Sequence, residues 1–307
     1  MRILVTGGRG LVGSAVEHPD VIKVTRQDYD LTVNEDVSRM YRDIEPTHVL
    51  HCAGRVGGLG ANMDYQSDFY VENILMNTLV MDKAVKHGVK NLVAFASTCI
   101  FPDKAEYPLT VEQLHNGKPH SSNFGYAYAK RMVVVHTDAI CSQYGYNYRT
   151  VIPCGIYGPN DNFSEGGHVI PSLIRKAIES RETGEPFVVW GTGKPLREFI
   201  YSKDVASLAL KVLLEGNAPN PLILTTGIEH SIGEIAELIA EVVGIRDVVY
   251  DETKPDGQYR KPSDHQPLQK WLGWENPFTD FRDGIREAVR WYEQSMGMDG
   301  SWSFKIK

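Results

Sequence analysis

A doubly wound α/β fold, with a parallel sheet and a smaller, interrupted C-terminal domain, is what this sequence predicts, and three observations predict it. Short β-branched runs alternate with helical patterns through the first half. A glycine-rich turn sits directly after the first of those runs. The rhythm then changes after Gly158-Pro159-Asn160-Asp161-Asn162. Strand and helix in strict alternation imply parallel strands joined by right-handed crossovers.

In chain order, Ile3 to Thr6, Val21 to Thr25, His48 to Cys52, Leu92 to Ala96 and Thr150 to Pro153 read as buried strands. Ser67 to His87 and Phe124 to Gln143 read as helices between them. Beyond residue 162, His168 to Glu179 is an amphipathic helix, and Phe187 to Trp190 and Glu198 to Tyr201 are strands. A helix from Asp204 to Leu214 follows, with Asp204 as its N-cap. Pro221 to Leu224 is another buried strand, and Ser231 to Val243 and Phe281 to Gln294 are further helices. The expected domains are 1–160, which also receives about 191–227, and a second unit from 161–190 and 228–307.

The chain has 307 residues, 42% of them hydrophobic and 23% charged, enough for a sizeable core without staples. Its net charge of −7 repels phosphate backbones and anionic lipid, so neither nucleic acid nor membrane is the expected partner. The cysteines, Cys52, Cys99, Cys141 and Cys154, show neither disulfide nor metal-ligand spacing. With no signal-peptide pattern at MRILVTGG and no long apolar span, a cytoplasmic location and no metal are expected. The 67–87 helix carries Phe69, Tyr70, Ile74, Leu75, Leu79, Val80 and Val85 nearly all round, more than a sheet can cover. That pattern predicts a homodimer.

Gly7, Gly10 and Gly13, with Arg9, Leu11 and Val12 between them, form a GxxGxxG turn after the first strand. Such glycines let the backbone approach a pyrophosphate, which rests on a helix N-terminus. A Rossmann-type dinucleotide site follows, with Ala53 and Pro153 at other strand ends. Arg9 and Arg26 suit a 2′-phosphate and point to NADP(H), whereas Asp28 is the acidic residue an NADH site would use.

Tyr126 and Lys130 stand four apart at a helix start, so they share a face. A nearby ammonium lowers a phenol's pKa and lets it exchange protons with a carbonyl oxygen. Ser97, beyond the fourth strand, lies where α/β sheets place ligands. Together the glycine turn, Ser97, Tyr126 and Lys130 resemble the extended short-chain dehydrogenase/reductase family. In that family the tyrosine is the acid/base, the lysine holds the nicotinamide ribose and the serine orients the carbonyl.

The segments Arg55 to Asn62, Ser97 to Pro102, Asn123 to Lys130, Tyr157 to Phe163, His168 to Pro171, Trp190 to Phe199 and Lys254 to Gly257 narrow the resemblance to the GDP-L-fucose synthases. That resemblance implies NADPH-dependent 3,5-epimerisation and 4-reduction of a GDP-4-keto-6-deoxy sugar. It implies Cys99 and His168 as the epimerising pair. In an extended segment, i and i+2 point the same way, which would set Cys99 beside Ser97. For the GDP-sugar, Arg55, Asn162, Trp190, Arg197 and Lys254 are the candidates. Arg55, Gly54 and Pro153-Cys154-Gly155 depart from the usual pattern, and Cys154 and Gly155 would enlarge the pocket. An epimerase/reductase or a reductase alone on a related GDP-4-keto sugar, such as a heptose, is the alternative. A non-catalytic NADP sensor is another, but such proteins typically lose the Tyr-Lys pair.

Overall fold

The computed structural model describes residues 1–254, 256, 258–273 and 277–298. Its main sheet is six-stranded and wholly parallel, in the order β2-β1-β3-β4-β5-β9. The first four strands are β1 (Ile3–Thr6), β2 (Val21–Val24), β3 (His48–His51) and β4 (Asn91–Phe95). β5 (Asn147–Pro153) and β9 (Leu222–Leu224) complete it. Leu4, Val49, Leu50, Leu92, Val93 and Val151 have no exposed surface. Both faces are therefore covered, which is why these strands read as continuous apolar runs.

One face carries α1 (Asn34–Ile44), α3 (Gln66–Lys86) and α4 (Phe124–Tyr144). The other is covered by α6 (Ser202–Glu215) and α8 (Gln266–Leu272). The short α2 (Leu59–Asp64) lies in the loop after β3. Asp204 is not the N-cap of α6. The helix starts at Ser202, and the Asp204 carboxylate accepts from Thr279 N at 2.9 Å and Thr279 Oγ1 at 2.8 Å, tying α6 to the chain before the last helix.

A second core is built from later segments. β6 (Gly155–Tyr157), β8 (Leu196–Tyr201) and β10 (Glu229–Ser231) form a three-stranded sheet ordered β10-β8-β6. β7 (Phe187–Trp190) and β11 (Val248–Asp251) pair in parallel. Around them pack α5 (Val169–Thr183), α7 (Ile232–Val243) and α9 (Phe281–Ser295). α7 begins with a capping box between Ser231 and Glu234, and Asp280 caps α9. No helix among the described residues is long and apolar enough to cross a membrane.

Candidate active site

The carboxyl ends of β1, β3, β4 and β5 open on one edge of the main sheet, where the chain leaves each strand for a loop. The first loop is the glycine turn. Gly7 has φ +69°, and a Cβ there would lie 2.9 Å from Ala53 Cα; a Cβ on Gly13 would lie 2.3 Å from Gly7 O. Ala53 is itself fixed, its N–H donating to Thr6 Oγ1 at 3.2 Å. Only glycine fits these two positions. The expected helix after the turn is absent. Gly13–Ala15 is a single 3-10 turn, and the chain passes Pro19 and enters β2 at Val21. The five residues between Ala15 and Val21 leave no room for an α-helix and its return. An anion at this turn would therefore meet loop N–H groups and side-chain charge, not a helix dipole.

Beyond the end of β2, Arg9 Nη1 donates to Gln27 Oε1 at 2.7 Å, which ties the glycine turn to the segment that carries Arg26. Arg26 lies 3.3 Å from Asp30 and 3.9 Å from Glu72. Asp28 accepts from Thr25 N and Thr25 Oγ1, both at 2.8 Å, and these bonds hold its carboxyl below the ordinary value.

Lys130 is only 4% exposed and donates through Nζ to Phe95 O at 3.0 Å; burial lowers its pKa to about 8. Next to it His51 bonds Thr6 Oγ1 through Nδ1 at 2.7 Å and Asn77 Oδ1 through Nε2 at 3.0 Å. Burial, reinforced by the Lys130 charge, takes that imidazole to about 3, so it stays neutral. Cys52 is pushed up to about 12 by burial. The Lys130 ammonium does not lower the Tyr126 phenol. Burial raises it well above its ordinary value, the neighbouring Cys99 adds to that, and the Ser97 hydroxyl bonded to it only partly opposes the shift. Tyr126 thus stands as a proton donor at neutral pH.

Ser97 caps a 3-10 turn, Thr98–Ile100, by accepting from Cys99 N at 3.4 Å. The segment is turned rather than extended, so side-chain alternation does not place Cys99; the turn does. Ser97, Cys99 and Tyr126 nonetheless meet. Phe69 meets Tyr126 edge-on at 6.4 Å, and the Arg55 guanidinium lies 4.8 Å over Phe69. Arg55 bonds Glu72 at 2.5 Å and faces Asp68 at 3.7 Å, so its charge is turned toward α3.

His168 comes from the second core. It precedes α5 as N-cap residue without a side-chain cap bond, and crowding by protein lowers its pKa. The turn before it is built by Asn162, whose Oδ1 accepts from Ser164 N at 3.0 Å and Ser164 Oγ at 2.6 Å. Asp161, pushed up to about 7 by burial, accepts from Asn162 N at 2.7 Å.

Further along this side Trp190 is 62% exposed, so its ring is open to a ligand. Lys176 Nζ lies 4.8 Å from its ring centroid and Lys254 Nζ 5.6 Å. Lys176 was not singled out in the sequence, because a lysine on an amphipathic helix reads as solvated face. Arg197 donates to Leu196 O at 2.7 Å and Gln258 O at 2.6 Å. Of the Lys254 to Gly257 motif, Pro255 and Gly257 lie outside the described residues; Asp256 accepts from Thr192 N at 2.6 Å and Thr192 Oγ1 at 2.8 Å.

The profile of the NAD dependent epimerase/dehydratase family matches residues 3–224. A GDP-L-fucose synthase of Dictyostelium discoideum is 42% identical over 94% of this chain and 94% of its own length. A probable GDP-L-fucose synthase of Drosophila melanogaster is 39% identical over 95% and 97%. This chain belongs to the GDP-L-fucose synthase branch of the NAD-dependent epimerase/dehydratase family. The crystal structure of a GDP-L-fucose synthetase from Naegleria fowleri bound to NADP superposes with a TM-score of 0.88, at 35% identity, covering 96% of this chain and 94% of that one.

Two departures from the GDP-L-fucose synthase pattern do not enlarge the pocket as expected. Cys154 is buried in the main core, its N–H donating to Leu224 O at 3.0 Å. A Cβ on Gly155 would lie 2.8 Å from the Phe199 ring, so Phe199 already fills the space that a side chain would take. The argument for a larger sugar such as a heptose loses its basis. For the dinucleotide the residues do fit: Gly7 and Gly13 leave a turn no side chain enters, Arg9 and Arg26 supply charge at the β2 end, and Lys130 presents an ammonium at the carboxyl end of β4.

Proposed function

We propose that this protein converts GDP-4-keto-6-deoxy-D-mannose to GDP-L-fucose by 3,5-epimerisation followed by NADPH-dependent reduction at C4. The observation that carries this reading is the meeting of Ser97, Cys99 and Tyr126 at one strand end, in a chain that also presents His168 at the start of α5. When bound, NADPH supplies the hydride for C4. Gly7, Arg9, Gly10, Leu11, Val12, Gly13, Arg26, Ala53, Lys130 and Pro153 are its proposed holders.

Ser97 and Tyr126 hold the C4 oxygen by hydrogen bonds throughout. Those bonds strengthen as negative charge develops there when a proton leaves C3 or C5. Cys99 and His168 remove and return these protons from opposite faces, which is what inversion at a carbon next to a carbonyl requires. Tyr126, kept protonated by burial, gives its proton to the C4 oxygen when the carbonyl is reduced. The Trp190 face with Lys176 and Lys254 matches a purine nucleotide carrying a diphosphate. Arg197 adds charge to that rim, while Arg55 and Asn162 act here by supporting Phe69 and the His168 turn.

The two-unit division, 1–160 with about 191–227 against 161–190 and 228–307, assigns the dinucleotide to the first and the nucleotide sugar to the second. Val71 and Leu75 on α3 and Val135 on α4 are more than two-fifths exposed each, on helices that pack together. This apolar stripe supports a homodimer sealed by α3 and α4. Leu75→Glu should give a monomer by sedimentation.

The experiment for the activity combines protein, GDP-4-keto-6-deoxy-D-mannose and NADPH in deuterated water. Deuterium at C3 and C5 with NADPH oxidation is expected. NADPH oxidation without label would reduce the activity to a 4-reductase.

A further inference from the structure

The segment from Gly57 to Phe69 touches the supports of both His168 and Tyr126. At its start, Gly58 N–H donates to Gly166 O at 2.7 Å. Gly58 has φ −67° and ψ −178°, backbone that any residue adopts, so conformational freedom does not explain the glycine. Room does: a Cβ on Gly58 would lie 2.4 Å from Gly166 O and 2.6 Å from Gly167 O. Those carbonyls belong to the turn that delivers His168. The turn has no slack on its other side, where a Cβ on Gly167 would lie 2.1 Å from Asn162 O.

Asn62, buried in the middle of the segment, donates through Nδ2 to Gly57 O at 2.7 Å and Gly58 O at 3.1 Å. At the far end Gln66 Oε1 accepts from Gly125 N at 3.2 Å and Gln66 Nε2 donates to Ser121 O at 2.9 Å. Gly125 is again a close approach, since a Cβ there would lie 2.3 Å from Gln66 O. Tyr126 is the next residue, and Phe69 packs on its ring.

We propose that residues 57–69 are a strap that sets His168 at its working distance from Tyr126, with Gly58 and Asn62 as positioning residues for the epimerisation. The inference rests on the proton-transfer role given to His168 above. His168 stands on the second core and Tyr126 on the main one, and epimerisation needs both at a single sugar. Hydride transfer takes its proton from the Tyr126 side and does not use His168. A shift of about 1 Å in one group can cost on the order of 100-fold in rate. Displacing the turn by a methyl group therefore strikes one reaction and spares the other.

The full-length Gly58→Ala variant tests this. Two rates are measured: deuterium uptake at C3 and C5 of the keto sugar, and the reverse hydride transfer from GDP-L-fucose to NADP⁺ by absorbance. We expect uptake to fall at least about tenfold, with reverse hydride transfer within about twofold of the parent. Asn62→Ala should show the same split with a smaller fall, and it decides the matter if Gly58→Ala does not fold. Parallel loss of both rates, or no loss in uptake, over an active parent overturns the strap alone. A parent protein that shows neither deuterium uptake nor NADPH oxidation removes the activity, and the strap with it.

Discussion

Tyr126 and His168 stand on supports of different stiffness. Tyr126 rides on α4, whose Ala127, Ala129, Val133 and Val134 are buried, and its neighbours Ser97 and Lys130 are fixed to the end of β4. His168 follows a turn with glycine at 166 and 167, which accepts a backbone hydrogen bond from Gly58 in the loop after β3. The groups that serve both proposed reactions, by holding the C4 oxygen, are on the stiff side. The group that serves epimerisation alone is on the turn. A core of close-packed side chains resists displacement, whereas a turn moves with its few bonds.

The comparison is broken most directly at Tyr126. Tyr126→Phe should lower NADPH oxidation by about 10²–10⁴-fold, measured at saturating substrate, because the protonated phenol is the proton source for the C4 oxygen. A residual rate within tenfold of the parent would move that role elsewhere. Next in size, His168→Gln and Cys99→Ser should each cut deuterium uptake at C3 or C5 by about 10²-fold or more, and leave reverse hydride transfer nearly intact. Equal loss of both steps in His168→Gln would erase the division between the two sides.

At the stiff side's outer edge, Arg26→Ala should raise KM for NADPH about tenfold and leave KM for NADH unchanged, through loss of a charge-assisted contact. Arg9→Ala should act in the same direction, and equal effects on both coenzymes would assign the arginines to another role.

The smallest effect concerns stability. The folded pKa of Lys130, about 8, lies below its ordinary 10.5. Between these values the unfolded chain binds more protons, so folding stability rises with pH across the window, and the penalty of the buried charge is complete below pH 8. The difference in Tm between the ligand-free parent and Lys130→Met should therefore grow in the parent's favour from pH 7.5 to 9.5, on the order of several degrees. A constant difference would mean that the ammonium is hydrated in the fold.

Much of the main sheet was readable because its strands are apolar on both faces and its glycine turn has a spacing that few other structures require. Phe187–Trp190 was read to the residue. The helix expected after Gly13 was not there, because the glycine pattern is the same with or without that helix and does not announce that only five residues separate Ala15 from the start of the next strand. Asp204 looked like a cap by residue type, yet its carboxylate goes to Thr279, 75 residues away. Lys176 gave no sign of belonging with Trp190, since the two meet only when α5 and β7 pack.

By itself the sequence determined the parallel fold, the residue types at the site and the order in which the chain presents them, since periodicity, glycine spacing and the Tyr-Lys interval are local properties. Tertiary structure decided what those residues are as chemical groups. Burial, not the Lys130 charge, sets the Tyr126 phenol, because a phenolate there would lose its hydration while the Lys130 ammonium is bonded to Phe95 O and does not act on it. It decided the fate of Gly155 in the same way, through Phe199 filling its side-chain space. Solvation and close packing depend on what the distant chain brings alongside, and no window of neighbouring residues contains that.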